Sequence, residues 1–240
     1  MKYSVLILLV FFSFSVIAET ETRTRVGKAF DLNTGELIYT ESHNETYKAG
    51  IIISDEVIYR DTSNNIIATK EVDYSNGMIM PDFTLKNMET GHIESALKEA
   101  DQLKVIFSKN KNDLKKEAVI TLPDKAIIDA GFDQFIIEHW DEIIQGERLV
   151  RKMLIPSMKK FIEFRIYQKN IDEINNKRTL IVEPNSMFIR FVADPLILEY
   201  DFDKPRLYVF EGVSNMRNLE GDNLQVKITF APENYQITAN

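Results

Sequence analysis

The 240-residue chain has no cysteine, one tryptophan, three histidines, nine glycines and seven prolines. Without cysteine there is no disulfide framework and no thiolate, either as nucleophile or as zinc ligand, so the fold must rest on its core. An apolar share of 44% over this length supplies one. His43, His92 and His139 form no H-x-x-x-H pair, and no EF-hand spacing occurs, so no metal is expected. A phosphate loop and a dinucleotide fingerprint are also missing, and no cofactor is expected. After residue 18 no apolar run is long enough to cross a bilayer. Basic charge is scarce too: 29 Lys and Arg stand against 37 Asp and Glu, a net of −8. Such a surface repels phosphate backbones and anionic headgroups. It argues against nucleic acid and against membrane docking by charge alone.

What is present begins with a leader. Lys2 gives a positive start, residues 5–16 are almost wholly apolar, and Val16-Ile17-Ala18 fits the small-residue cleavage rule. Residues 1–18 therefore read as a cleavable signal peptide, and residues 19–240 as a single β-rich domain. No cysteine follows the cleavage site, which excludes a bacterial lipoprotein. Export without disulfides points to a bacterial periplasm.

Short strands dominate the rest. Residues 20–30, 37–47, 51–60 and 66–74 read as strands, separated by turn signals such as Asn33-Thr34-Gly35 and Ser75-Asn76-Gly77. The stretch 93–103 has no clear period and reads as either a short helix or a loop. Strands resume at 103–107 and 118–122, then at 149–155, 161–168, 178–182, 187–193, 196–202, 206–213 and 224–230. The last is the cleanest: Leu224, Val226, Ile228 and Phe230 alternate with Gln225, Lys227 and Thr229. So high a strand share exceeds the usual one-quarter or so, and some of these runs are expected to be loops.

One stretch breaks the pattern. Between residues 127 and 146, Phe132, Phe135, Ile136, Trp140 and Ile143 recur at helical spacing, with Gln134, Glu138, Asp141 and Gln145 opposite. Asp124 or Asp129 can serve as N-cap and Gly146 as the C-terminal stop, while Gly131 is a cost inside the helix. A long meander must curl, and a curled sheet with one amphipathic helix tends to wrap it. The expected fold is mainly β, a half-open barrel of antiparallel strands around this helix. A two-sheet sandwich with the helix across one end is the second choice.

Catalytic signatures are thin. His139 sits in the apolar arc between Phe135 and Ile143. It is a candidate general base or ligand contact, although a core-edge histidine bonded to backbone is the commoner case. Gly212-Val213-Ser214 begins like a nucleophile elbow but lacks the second glycine and a following helix. Asp201-Phe202-Asp203 reads as a β-turn rather than a calcium loop, because Pro205 follows. The expectation is a protein without catalytic residues, with Phe135, His139 and Trp140 as the candidate ligand pocket.

The C-terminal strands carry a resemblance. The stretch 206–215, with 223–230, resembles the closing hairpin of uncharacterised exported proteins of Gram-negative bacteria; the stretches 27–39 and 129–135, with Trp140, fit the same pattern. These proteins are similar in architecture to the periplasmic lipoprotein-carrier fold, an unclosed β-barrel with a helix in its mouth. The resemblance implies a concavity that takes acyl chains. It places no functional residue. Three functions are weighed: a periplasmic non-enzymatic binder of a lipid or other apolar ligand, an envelope structural or interaction protein, and, remotely, a hydrolase using His139 or Ser214.

Overall fold

The computed structural model describes residues 19–191, residues 194–231 and the backbone of residues 236–239. The expected leader and residues 192–193 lie outside them. Eight strands come first: β1 (Thr20–Asp31), β2 (Leu37–Lys48), β3 (Ile51–Asp61), β4 (Ile66–Asp73), β5 (Asp82–Asn87), β6 (Ile93–Glu99), β7 (Gln102–Ser108) and β8 (Lys116–Thr121). The chain then crosses through β9 (Ala126–Ile127), α1 (Gly131–Glu138) and α2 (Trp140–Ile144). A second meander follows: β10 (Leu149–Ile155), β11 (Lys160–Asp172), β12 (Lys177–Pro184), a short α3 (Met187–Arg190), β13 (Leu196–Asp201), β14 (Leu207–Arg217) and β15 (Asn223–Phe230). The last strand is β16 (Gln236–Ala239).

All of these strands belong to one sheet, with β8 and β9 at its two ends and β1 against β15 in the middle. Every neighbour is antiparallel except β9 on β10. β16 pairs with β1 over Glu21–Thr24, beyond the stretch that β15 covers. The sheet is barrel-like and unclosed. Its curl is visible in the core: Leu154 of β10 is buried in the same cluster as Val72, Phe83, Leu103 and Val105 from β4 to β7.

The turns obey the expected chemistry. Asp31 accepts backbone N–H bonds from Asn33 (2.8 Å) and Thr34 (2.9 Å), and Gly35 takes the left-handed conformation (φ 73°) that closes the β1–β2 hairpin.

Four expectations need correction. Strand takes 59% of the described residues, and of the runs read as strands only 187–193 is not one, so the share expected to be loops is too large. Residues 93–103 are neither helix nor loop but the hairpin of β6 and β7. Glu94, Ser95 and Ala96 are buried in succession, because this part of the sheet is covered on both faces, and that erases the alternation. The strand expected over 187–193 instead begins as α3, with residues 192–193 outside the described part. The single helix over 127–146 is shorter and divided: residues 126–127 are strand, and α1 and α2 meet at His139 (φ −109°, ψ 19°).

Both helices bury the predicted stripe. Phe135, Ile136, Trp140 and Ile143 pack with Ile166, Leu180, Val182, Leu198 and Tyr200 of β11 to β13. Each such side chain is worth about 1.5–3 kcal/mol of burial.

Candidate functional site: a charged hollow beside the helix

The inward face of β1 to β4 mixes apolar side chains with buried charges. Alternation along β2 turns Tyr39, Glu41 and His43 into the interior, and the same rule brings Asp55, Val57 and Tyr59 in from β3 and Ala68, Lys70 and Val72 from β4. A buried charge must find a partner, since an isolated one costs several kcal/mol or more. These charges find them in one another and in the start of α1.

Three links form the network. Lys70 Nζ donates to Asp129 Oδ2 at 2.7 Å. Arg25 donates from Nε to Glu45 (3.0 Å) and from Nη2 to Asp133 (3.1 Å), while its guanidinium lies over Phe230. His43 places Nδ1 2.9 Å from Asp55 and Nε2 3.2 Å from Glu41. Asp129 does not cap the helix, as the sequence allowed; its carboxylate is committed to Lys70, and no side chain caps α1. Two of the three links thus moor the first turn of α1 to the sheet.

Electrostatics follow from this packing. For Lys70, burial opposes the charge, but Asp129, with Asp55 and Glu41 behind it, outweighs burial and holds the ammonium above its ordinary pKa. For His43, burial and Arg25 both favour the neutral ring. Asp55 and Glu41 together outweigh them, and the pKa ends above the usual 6.5. The hydrogen bonding agrees: both ring nitrogens face carboxylates, which only accept, so the doubly protonated ring is the form that satisfies both. Asp55 is the converse case. Burial raises its pKa, but His43, then Arg25 and Lys70, bring it below the usual 3.8.

These shifts define a pH window. The contribution from His43 is fully present below about pH 6.5 and is lost as pH rises through the higher folded value. The contribution from Asp55 is present above about pH 3.8 and is lost as pH falls through its lower folded value. Melting curves of the wild-type protein should therefore lose stability as pH rises above about 6.5. His43→Gln should be less stable at pH 6 and should flatten that slope; an unchanged slope would show that His43 is not its source.

Two hollows adjoin the network. One, of about 490 Å³, lies between β1 and β2, the polar face of α1 and the start of β14; it is bordered by Arg23, Tyr47, Tyr74, Ile137 and Tyr200. The other, of about 240 Å³, is walled by Tyr59, Phe210, Ile228 and Phe230, with Glu41, His43 and Lys70 at its polar side. Arg25, Asp133 and Leu207 border both, so the two hollows adjoin across these residues as a double recess.

The residues singled out from sequence sit behind this recess. Phe135 is fully buried under the Arg151 guanidinium. Trp140 is buried against Tyr200, and its indole Nε1 has no hydrogen-bond partner among the described residues. His139 packs at a tilt against Phe135, with ring centroids 4.4 Å apart and 50° between the planes, and its Nδ1 is likewise buried with no partner among the described residues. The residues of α1 that reach the recess are Asp133, Gln134 and Ile137. Ser214 shares a hydrogen bond with the Tyr39 hydroxyl (3.1 Å) and accepts one from the Met216 N–H (3.0 Å).

Among the described residues no group of three His, Cys, Asp or Glu side chains could hold a metal ion, and no helix is long and apolar enough to cross a membrane. Sequence reasoning missed Arg25, Glu41, His43, Asp55 and Lys70. One signal was there to find: Ala68-x-Lys70-x-Val72 puts a lysine in the middle of an inward-facing run. No protein-family model matches the chain, no curated protein matches it, and no solved structure matches its fold.

Proposed function

We propose that this is an exported, periplasmic, non-enzymatic protein that binds a lipid or another amphiphile in the hollow of its sheet. The observation that carries the reading is the double recess, whose chambers share Arg25, Asp133 and Leu207. Its lining joins an apolar wall (Leu207, Phe210, Ile228 and Phe230) to a rim of paired charges, which suits a molecule with an apolar part and a polar end. Export rests on the Lys2 start, the apolar run and Ala18. In this reading the divided helix is the element around which the half-open barrel curls, as the resemblance to lipoprotein carriers implies. Its apolar stripe fills the C-terminal half of the sheet, and its polar face borders the ligand.

The test is direct. Mature protein purified from its native periplasm should release a lipid-like species into an organic extract, in near-stoichiometric amount by mass spectrometry. A fluorescent fatty acid should bind the emptied protein, and Ile137→Glu, at the edge of the larger chamber, should weaken it about tenfold by charging the apolar border. Clean extracts together with no probe binding would defeat the proposal. That result would favour the second reading, an envelope interaction protein. The complete burial of Phe135, Ile136 and Ile143 already fits that reading, since it leaves no space under the helix itself.

A further inference from the structure

The loop between β12 and β13 presents an apolar tip to water. Met187, Phe188 and Phe191 are 62, 83 and 87% exposed. Single apolar residues on a surface need no account, but three within five positions form a patch that does. The tip is also braced. Arg190 folds its guanidinium back onto the carbonyls of Pro184 (3.0 Å) and Asn185 (2.7 Å). The Asn185 N–H donates to the Glu163 carbonyl (2.8 Å), and the Arg190 N–H donates to that of Ser186 (3.1 Å). Polar groups that could have met water instead hold the loop in a shape that keeps its phenylalanines out of the core.

We propose that this tip docks on a lipid surface, with Phe188 and Phe191 entering the headgroup region. Two observations choose that occupant. The side chains stand almost free, as a convex tip rather than the wall of a groove, which suits insertion into a deformable surface. The second is charge. Across the β11 register that holds Asn185, the turn before β11 adds half-exposed Met158, followed by Lys159 and Lys160. In a chain of net charge −8, Lys159, Lys160 and Arg190 outnumber Glu163 and Asp194 at these two turns, a local reversal of sign that fits phosphate headgroups. The chain as a whole is repelled by anionic lipid, so apolar insertion carries most of the binding. The proposal does not depend on the contents of the sheet's hollow.

Flotation tests it. The mature protein, mixed with vesicles of phosphatidylethanolamine and phosphatidylglycerol, should rise through a density gradient with the vesicles. The double variant Phe188→Ser/Phe191→Ser should stay behind, its partition lowered about tenfold or more. Its melting temperature should match the wild type, because both rings already face water in the free protein. Lys159→Gln/Lys160→Gln should lower flotation severalfold with these vesicles and little with phosphatidylcholine alone. Wild-type protein that stays at the bottom, or a double serine variant that floats equally well, would overturn the assignment. So would a wild-type dimer that does not float and that the serine substitutions turn into a monomer; the tip would then belong to a second copy of the chain.

Discussion

Lys70→Met should cost about 3–5 kcal/mol of stability, the range found when one partner of a buried ion pair is removed. The substitution keeps most of the side-chain volume, so the loss reports charge rather than a cavity. It strands Asp129 beside the sheet with its carboxylate unpaired. It also takes a positive charge from a network in which Glu41, Glu45, Asp55, Asp129 and Asp133 already outnumber Arg25, Lys70 and His43. Chemical denaturation checks it. The double variant Lys70→Met/Asp129→Asn should recover much of the loss, because it removes both charges, and asparagine tolerates the left-handed backbone of Asp129 (φ 42°). If Lys70→Met alone costs under about 1 kcal/mol, the pair is solvated and the network is not a buried one.

The contrast between this network and the helix marks how far the sequence could be read. Period alone identified the stripe of Phe135, Ile136, Trp140 and Ile143, and most strands of both meanders, because in each case burial follows apolar identity. The same rule placed β2 as a strand but could not assign its inward face. Its buried face holds Tyr39, Glu41 and His43, and its other face Thr40, Ser42 and Asn44, so hydropathy does not separate the two. What decides the inward face there is pairing across strands and with α1, and the partners of Arg25 lie 20 and 108 positions away. A local pattern cannot supply a contact of that range. The division of the helix at His139 was hidden for a related reason. Phe135 and Trp140 fit the stripe whether or not the backbone turns between them, and the kink lies within the spacing tolerance of the period. Phe135, His139 and Trp140, the candidates from sequence, belong to the packed side of this element, whereas Asp133, Gln134 and Ile137 border the recess.

Gly131→Ala separates the two views of that helix with opposite signs. By propensity, alanine in place of a helical glycine should stabilise, by less than the roughly 1 kcal/mol of an interior position because Gly131 opens α1, and Gly131 does not have the positive φ that would penalise a side chain. The packing says otherwise. A Cβ at this position would lie 2.1 Å from the Ile79 carbonyl oxygen and 2.4 Å from its carbon. Those are backbone atoms, and the same Ile79 oxygen accepts the Ile128 N–H at 3.1 Å, so it cannot swing aside without losing that bond. Relief must come from lifting the start of α1, which pulls Asp129 from Lys70 and Asp133 from Arg25 together. Overpacking alone costs about 1–3 kcal/mol, and the loosened ion pairs add to it, so a net loss of about 3 kcal/mol or more is expected. Gly146→Ala is the control: it has open space around its Cβ and a φ of 95°, so it should lose only about 1 kcal/mol, from backbone strain. A stabilised Gly131→Ala would mean that α1 is not seated against residue 79, and the mooring of the helix by the charged network would go with it.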